Sequence, residues 1–226
     1  AIPLLSKAGH RFGYLDRPGR HKRHKAPVPY LGGVGLFLAI WGTVAVLHAT
    51  HSDSVSELSG MLPFIFGGAI LIWVVGFVDD LRSLPAWVKL LVEIAAGIML
   101  YAGGLHIDPI SIPFCGQIAL GEWSLLITVL WVVGLTNSVN LIDGLDGLAA
   151  GCSLIAAVTI AVVGNLYSIG AALLFAYTLI GFLAVFLFHN RYPAKIFLGD
   201  SGSLQIGYYF AVLSLMVPLK SFTAAA

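Results

Sequence analysis

The 226-residue chain is 58% hydrophobic and only 10% charged, where soluble domains carry roughly one quarter charged residues. That excludes an ordinary water-soluble globule, and two cysteines, Cys115 and Cys152, exclude a disulfide framework or a thiolate metal site. The formal charge of +1 is bland only until it is mapped: seven of the twelve Lys and Arg residues lie between Lys7 and Lys25.

Taken in chain order, apolar runs cover Val28 to Ala49, Met61 to Val78, Trp87 to Gly104, Ser124 to Asn140, Leu148 to Gly164, Ile169 to Phe188 and Leu204 to Pro218. A spanning helix takes about 20 apolar residues, so these runs predict an all-α, polytopic integral membrane bundle of about seven transmembrane helices. Ala1 to Leu5 are apolar but too short to cross and resemble the stump of an earlier helix. The sequence is therefore read as one transmembrane domain over residues 1–226, truncated at both ends.

Threading places loops 7–27, 79–86, 141–147 and 189–203 on one side. That side holds the basic cluster with Arg82, Arg191 and Lys195, whereas the opposite loops at 50–60, 105–123 and 165–168 hold no Lys or Arg. Positive-inside bias makes the basic side cytoplasmic.

Asp79, Asp80, Asp143, Asp146 and Asp200 come from three separate loops and all fall on that side. One such acid would only mark where a helix leaves the bilayer. Five converging would repel one another unless a cation neutralised them. Oxygen ligands without His or Cys suit magnesium, with manganese as the alternative. Magnesium commonly combines one or two carboxylates with substrate phosphates, so a phosphate substrate is expected. His21 and His24 are set aside as metal ligands on the same ground, and His48, His51, His106 and His189 are read as interface residues.

Within 136–148, Asn137, Asn140, Asp143 and Asp146 recur every third position, on adjoining positions of one face as a helix ends. Gly144 and Gly147 let the backbone leave that helix and approach a ligand. In 197–203, Asp200 is flanked by glycines at a helix start, where free amides favour anions; it is the expected metal ligand, assisted by Asn140 or Asp143. Of the adjacent pair Asp79 and Asp80, at most one is expected as a direct ligand, with the other handling a proton or a neighbouring base. Lys89 and Glu93 stand at i and i+4, which fits an intrahelical ion pair, yet Lys89 also lies within reach of a phosphate. The stretch 16–33 mixes cations, prolines and glycines, and attraction to anionic headgroups explains most of its charge.

These motifs, in this order, resemble those of the polyprenyl-phosphate N-acetylhexosamine-1-phosphate transferases. Asp16, Pro18, Lys22, His24, Pro27, Pro29, Gly32 and Gly33 follow the first-loop pattern of that family. Gly76 to Asp80 follow its double aspartate, Asn137 to Leu148 its Asp-Gly repeat, and Phe197 to Ser203 its Gly-Asp-x-Gly-Ser motif. The resemblance implies a protein of ten or eleven helices in the bacterial inner membrane, with its active site on the cytoplasmic face. It implies transfer of a sugar 1-phosphate from a UDP-N-acetylhexosamine to undecaprenyl phosphate, with release of UMP and dependence on magnesium. It assigns Asp79, Asp80 and Asp143 to catalysis, Lys89, Asn137, Asp146, Lys22 and His24 to substrate, and Asp200, Asn140 and Asp143 to the metal. No nucleic acid is expected as a partner; the bilayer is one, and a homodimer is left open.

The Ala-Pro-Val-Pro-Tyr-Leu-Gly-Gly loop is similar to the branch that uses UDP-N-acetylglucosamine for O-antigen, enterobacterial common antigen or wall teichoic acid, and differs from the peptidoglycan branch. His21 departs from the pattern, standing where Arg is common. Two readings from other classes compete. A secondary transporter would place its ion-binding groups near the bilayer midplane, unlike these acids, and an inert scaffold within a glycan-assembly complex would need none of them. For the chemistry, direct attack by the lipid phosphate is expected over a phosphosugar-enzyme intermediate. Asp79 would steer or deprotonate that phosphate, and Asp80 would support the metal and Lys89.

Overall fold

The computed structural model describes residues 2–16, 27–112, 116–166 and 170–216. Among the described residues the order is α1 (Ile2–Phe12), β1 (Leu15–Asp16), β2 (Val28–Pro29), α2 (Gly32–Ala49), α3 (Asp53–Ser56), α4 (Leu62–Leu81) and α5 (Ala86–Ala102). There follow β3 (Ile110–Ile112), β4 (Gly116–Ile118), α6 (Trp123–Ile142), α7 (Leu148–Leu166), α8 (Gly170–Asn190) and α9 (Asp200–Met216). The fold is that of a polytopic helical membrane protein, and each of the seven apolar runs forms one long helix. Five helices are long and apolar enough to cross a bilayer: α2, α4, α6, α7 and Ala172–Asn190 of α8. The other two, α5 and α9, have 17 residues each.

Helix α9 explains its own lower hydrophobicity. Every residue from Ser201 to Leu213 is buried, because α9 packs against α2, α4, α6, α7 and α8 at once. A helix enclosed by protein need not be apolar all round, and its polar groups bond across to neighbours. Gln205 Nε2 donates to the Gly33 carbonyl at 3.0 Å, Tyr208 Oη to the Ile65 carbonyl at 2.9 Å, and Trp41 Nε1 to Tyr209 Oη at 2.9 Å. Close approach depends on missing side chains. A Cβ on Gly76 of α4 would lie 2.6 Å from Ser201 Cα and 2.7 Å from the Asp200 carbonyl oxygen.

Three details differ from the apolar runs. The N-terminal stump is an 11-residue amphipathic helix, α1, which buries Ile2 and leaves Leu4 exposed; it ends at Gly13, whose φ of 76° few other residues adopt. The loop at 105–123 carries an antiparallel ribbon, with Ile110 opposite Ile118, too short to register as a periodic signal. Finally, α4 runs through Asp79 and Asp80, and α9 begins at Asp200 rather than Leu204, so polar residues form the last or first turn of helices named by their apolar cores.

The ribbon of β1 and β2 pairs Leu15 with Pro29 and Asp16 with Val28. It delivers the chain to α2 beside the segment before α9. Phe197 N–H donates to the Pro29 carbonyl at 2.9 Å, and the Gly32 and Gly33 amides donate to the Phe197 and Leu198 carbonyls at 3.1 and 3.0 Å. The glycine pair of the first motif thus holds the backbone that presents Asp200.

Candidate active site

At one end of the bundle, the C-terminal turns of α4 and α6 meet the N-terminal turns of α5 and α9. The α4–α5 connection is short and stops at Pro85, which caps α5. Asp79 Oδ1 accepts the Leu84 amide at 2.6 Å and closes that turn. One helical turn into α5, Lys89 reaches back. Its Nζ lies 3.2 Å from Asp79 Oδ2 and 2.8 Å from Asp200 Oδ2, so a single ammonium bridges carboxylates 121 residues apart in sequence. Both ends of this bridge are partly solvent-accessible, which leaves the ammonium within reach of a ligand.

Asp80 faces the other way. Its Oδ1 accepts the Asp200 amide at 2.7 Å and its Oδ2 the Ser201 amide at 3.1 Å. The side chain therefore serves as the N-cap of α9, supplied by another helix, and satisfies two of the amides that a helix start leaves open. Gly199 allows this: its φ is 72°, and a Cβ there would lie 2.6 Å from Asp80 Oδ2.

Asp143 stands at the C-terminal cap of α6. Its carboxylate makes no hydrogen bond or ion pair among the described residues. Burial pushes its pKa up to about 7, and the charges of Asp200 and Asp80 push in the same direction. Asn140, one turn earlier, donates from Nδ2 to Ser203 Oγ at 2.9 Å, and its Oδ1 has no partner among the described residues. Asn137 Nδ2 donates to the Val133 carbonyl at 2.9 Å and also to Glu93 Oε2. Lys89 and Glu93 form no ion pair with each other: both turn to other helices instead. Asp146 Oδ2 accepts the Ala194 amide at 3.0 Å, and Asn190 accepts the Gly147 amide at 3.0 Å while donating to the Ile196 carbonyl at 2.9 Å. The Asp-Gly repeat is thereby tied to the loop at 190–196.

Asp79, Asp80, Lys89, Asp143 and Asp200 thus form one electrostatic cluster, with Asn140 attached to it through Ser203. Asn137 lies one turn deeper and Asp146 one loop away. Lys22 and His24 lie outside the described residues. A cavity of about 120 Å³ opens beside Asp80, lined by Gly13, Tyr14, Tyr30, Phe77 and Leu81 among others, at the flanks of the first loop.

The cluster suits a hard divalent cation. Among the described residues its unspent donors are the Asp143 carboxylate, one oxygen of Asp200 and the Asn140 side-chain carbonyl, all oxygen. Among the described residues no three His, Cys, Asp or Glu side chains come together as a ready-made metal cage. Magnesium held by one or two carboxylates and completed by substrate phosphates needs no such cage. Sequence reasoning passed over Ser203, Asn190 and the partner of Glu93. Ser203 closes the Gly-Asp-x-Gly-Ser motif without a role that its spacing assigns, and Asn190 carries no pattern of its own. The third looked accounted for by Lys89 at i−4.

A helical membrane bundle with carboxylates, a lysine and glycine-bounded loops gathered at one end defines a polytopic membrane protein with a charged site at the junction of its helix ends. The chain belongs to glycosyl transferase family 4, whose model matches residues 62–218, the stretch from α4 through α9. It is 40% identical over 224 residues to the probable undecaprenyl-phosphate N-acetylglucosaminyl 1-phosphate transferase of Bacillus subtilis, covering 98% of this chain and 60% of that protein. It is 35% identical over 208 residues to the phospho-N-acetylmuramoyl-pentapeptide-transferases of Streptococcus pyogenes serotypes M6 and M4, covering 86% of this chain and 61% of each. The chain spans about three fifths of the length of these curated relatives.

Proposed function

We propose that the protein transfers N-acetylglucosamine 1-phosphate, or a related N-acetylhexosamine 1-phosphate, from the UDP-sugar to undecaprenyl phosphate with release of UMP. The observation that carries this reading is the Lys89 ammonium bridging Asp79 and Asp200 beside the Asp143 carboxylate, which has no partner among the described residues. The greater identity to the Bacillus protein favours N-acetylglucosamine over the pentapeptide-bearing sugar. The setting is the bacterial inner membrane, with the site on its cytoplasmic face as the first step of a surface glycan such as O-antigen or wall teichoic acid.

In the reaction an oxygen of the lipid phosphate forms a bond to the β-phosphorus of the UDP-sugar. The bond from that phosphorus to the bridging oxygen breaks, and UMP leaves with the electron pair. Asp200, Asp143 and Asn140 would hold magnesium, which when bound would supply electrostatic stabilisation of the charge that builds on the leaving phosphate. Lys89 exchanges part of its carboxylate pairing for a phosphate oxygen. Asp79, with Oδ1 on the Leu84 amide and Oδ2 on Lys89, orients Lys89 and through it the lipid phosphate. Asp80 holds α9, and hence Asp200, at the distance the phosphates require. Asp146 and Asn137 orient the nucleotide sugar.

UMP formation from UDP-N-acetylglucosamine and undecaprenyl phosphate by the full-length protein in detergent tests the reading. Turnover that needs both substrates and magnesium supports it. A protein that moves labelled substrate across vesicles without releasing UMP would be a transporter instead.

A further inference from the structure

Glu93 is a carboxyl group with no exposed surface in the middle of α5, in a segment where burying such a group is costly unless it serves a purpose. Lys89, one turn away, makes no ion pair with it, being held by Asp79 and Asp200. Oε1 of Glu93 has no hydrogen-bond partner. Its other oxygen meets Asn137 on α6. The meeting is built into the packing of the two helices: one turn away, Gly97 approaches so closely that a Cβ there would lie 3.2 Å from Val129 Cα.

The consequence falls on Asn137. A side-chain amide offers two N–H donors on one atom and an acceptor on the other. Here Nδ2 gives one hydrogen to the Val133 carbonyl, which can only accept, and the other to Glu93. Reversing the amide would set its oxygen against that carbonyl and the carboxyl together. Among the described residues Oδ1 is then the one polar atom of Asn137 without a partner, and it can meet only a donor or a cation.

We infer that Glu93 is a positioning residue that locks Asn137 as an acceptor, so that Asn137 recognises an N–H or O–H donor of the nucleotide sugar rather than a phosphate oxygen. This rests on the proposed reaction and narrows what Asn137 does in it. Three parts of the UDP-sugar share the required chemistry: the uracil imide N–H, a ribose hydroxyl and the acetamido N–H. A site built to accept a hydrogen bond discriminates strongly against an analogue that lacks the donor, because its own buried acceptor is then left unpaired.

The test is equilibrium binding to the full-length protein of UDP-N-acetylglucosamine and three analogues: N3-methylated uracil, 2′-deoxyribose and a sugar lacking the acetamido group. Wild type should lose about tenfold in affinity for one of them. Asn137→Ala should bind that analogue and the parent equally, and Glu93→Met should weaken the parent five- to tenfold and discriminate poorly. Glu93→Gln, which still offers Asn137 an oxygen, should restore discrimination, a rescue that a purely structural role for Glu93 would not require. Should Glu93→Met fail to fold, the Asn137→Ala comparison decides alone. The inference is overturned if wild type tolerates all three analogues, if Glu93→Met discriminates as wild type does, or if Asn137→Ala changes the magnesium requirement instead of donor recognition. If wild type binds no uridine nucleotide, the proposed reaction falls and this inference falls with it.

Discussion

Asp80 caps the helix that carries Asp200: both oxygens of the Asp80 carboxylate accept amides of α9, the shorter bond, 2.7 Å, coming from Asp200 itself. Of two adjacent aspartates, one is thus committed to backbone and the other to Lys89. A capping role separates two substitutions that a catalytic base would not. Asp80→Asn keeps one acceptor and should retain most of the stability and part of the activity. Asp80→Ala should lose about 1–2 kcal/mol, in the upper range for helix caps, and raise the magnesium requirement as Asp200 drifts. Thermal unfolding in detergent and magnesium titration of UMP release check both; identical loss in the two variants would return Asp80 to a direct chemical role.

The contact between α4 and α9 at Gly76 makes a second prediction. A methyl group there meets backbone at 2.6 Å, and backbone cannot rotate away as a side chain can. Gly76→Ala should cost about 1–3 kcal/mol, in the range for overpacked cores. It should also lower turnover, because the atoms displaced are those of Asp200 and Ser201. Wild-type stability and turnover in this variant would mean that the two helices are not held at this distance.

Removing the shared cation should be more damaging to chemistry than to folding. Lys89→Ala leaves Asp79 and Asp200 facing each other without an intervening charge and removes the expected phosphate contact. Turnover should fall about 100-fold or more, by analogy with the loss of one electrostatic donor elsewhere. The pair is partly exposed, so the stability loss should stay well below that of a fully buried ion pair. Steady-state kinetics beside a melting curve separate the two, and loss of fold with no measurable kinetic defect in the surviving fraction would make Lys89 structural.

The raised pKa of Asp143 sets the sign of a pH effect. With its pKa at about 7, the carboxyl is protonated below that pH and must release its proton to ligate a metal, so acidification competes with magnesium. Apparent magnesium affinity should therefore fall as pH drops from 8 to 6, by up to about tenfold per unit below 7. Asp143→Asn should flatten that dependence. A magnesium requirement that does not change over this range would remove Asp143 from the metal site.

The seven long helices were legible because twenty-residue apolar runs have few alternatives. The convergence of the aspartates was legible because threading alternates the sides. What each aspartate does was not: Asp79 and Asp80 are neighbours on one helix turn, and only the position of α9 decides which meets an amide and which an ammonium. The i, i+4 spacing of Lys89 and Glu93 invited an intrahelical pair, and tertiary partners of better geometry prevailed. Asp200 was placed at a helix start correctly, yet the cap it needed came from 120 residues away, a distance no local pattern spans.

The same geometry bears on how the proposed transfer would proceed. A covalent route would need an aspartate with an oxygen free to attack. Asp79 has Oδ1 on the Leu84 amide and Oδ2 on Lys89, and Asp80 has both oxygens on α9, so neither presents an unencumbered nucleophile. Asp143 has no partner among the described residues, but a carboxyl with a pKa of about 7 is half protonated near neutrality, and as a metal ligand it would be weakened further. The lipid phosphate needs no such help. A phosphate monoester with a second pKa of about 6 is already largely dianionic, and positioning beside a neutralising cation supplies most of what the step requires. Direct attack predicts that UDP-N-acetylglucosamine alone, mixed with the full-length protein and magnesium, releases no stoichiometric UMP, and that label appears only in lipid once undecaprenyl phosphate is added. A rapid-quench burst of UMP without lipid, with labelled sugar phosphate retained on Asp143, would establish the covalent route instead.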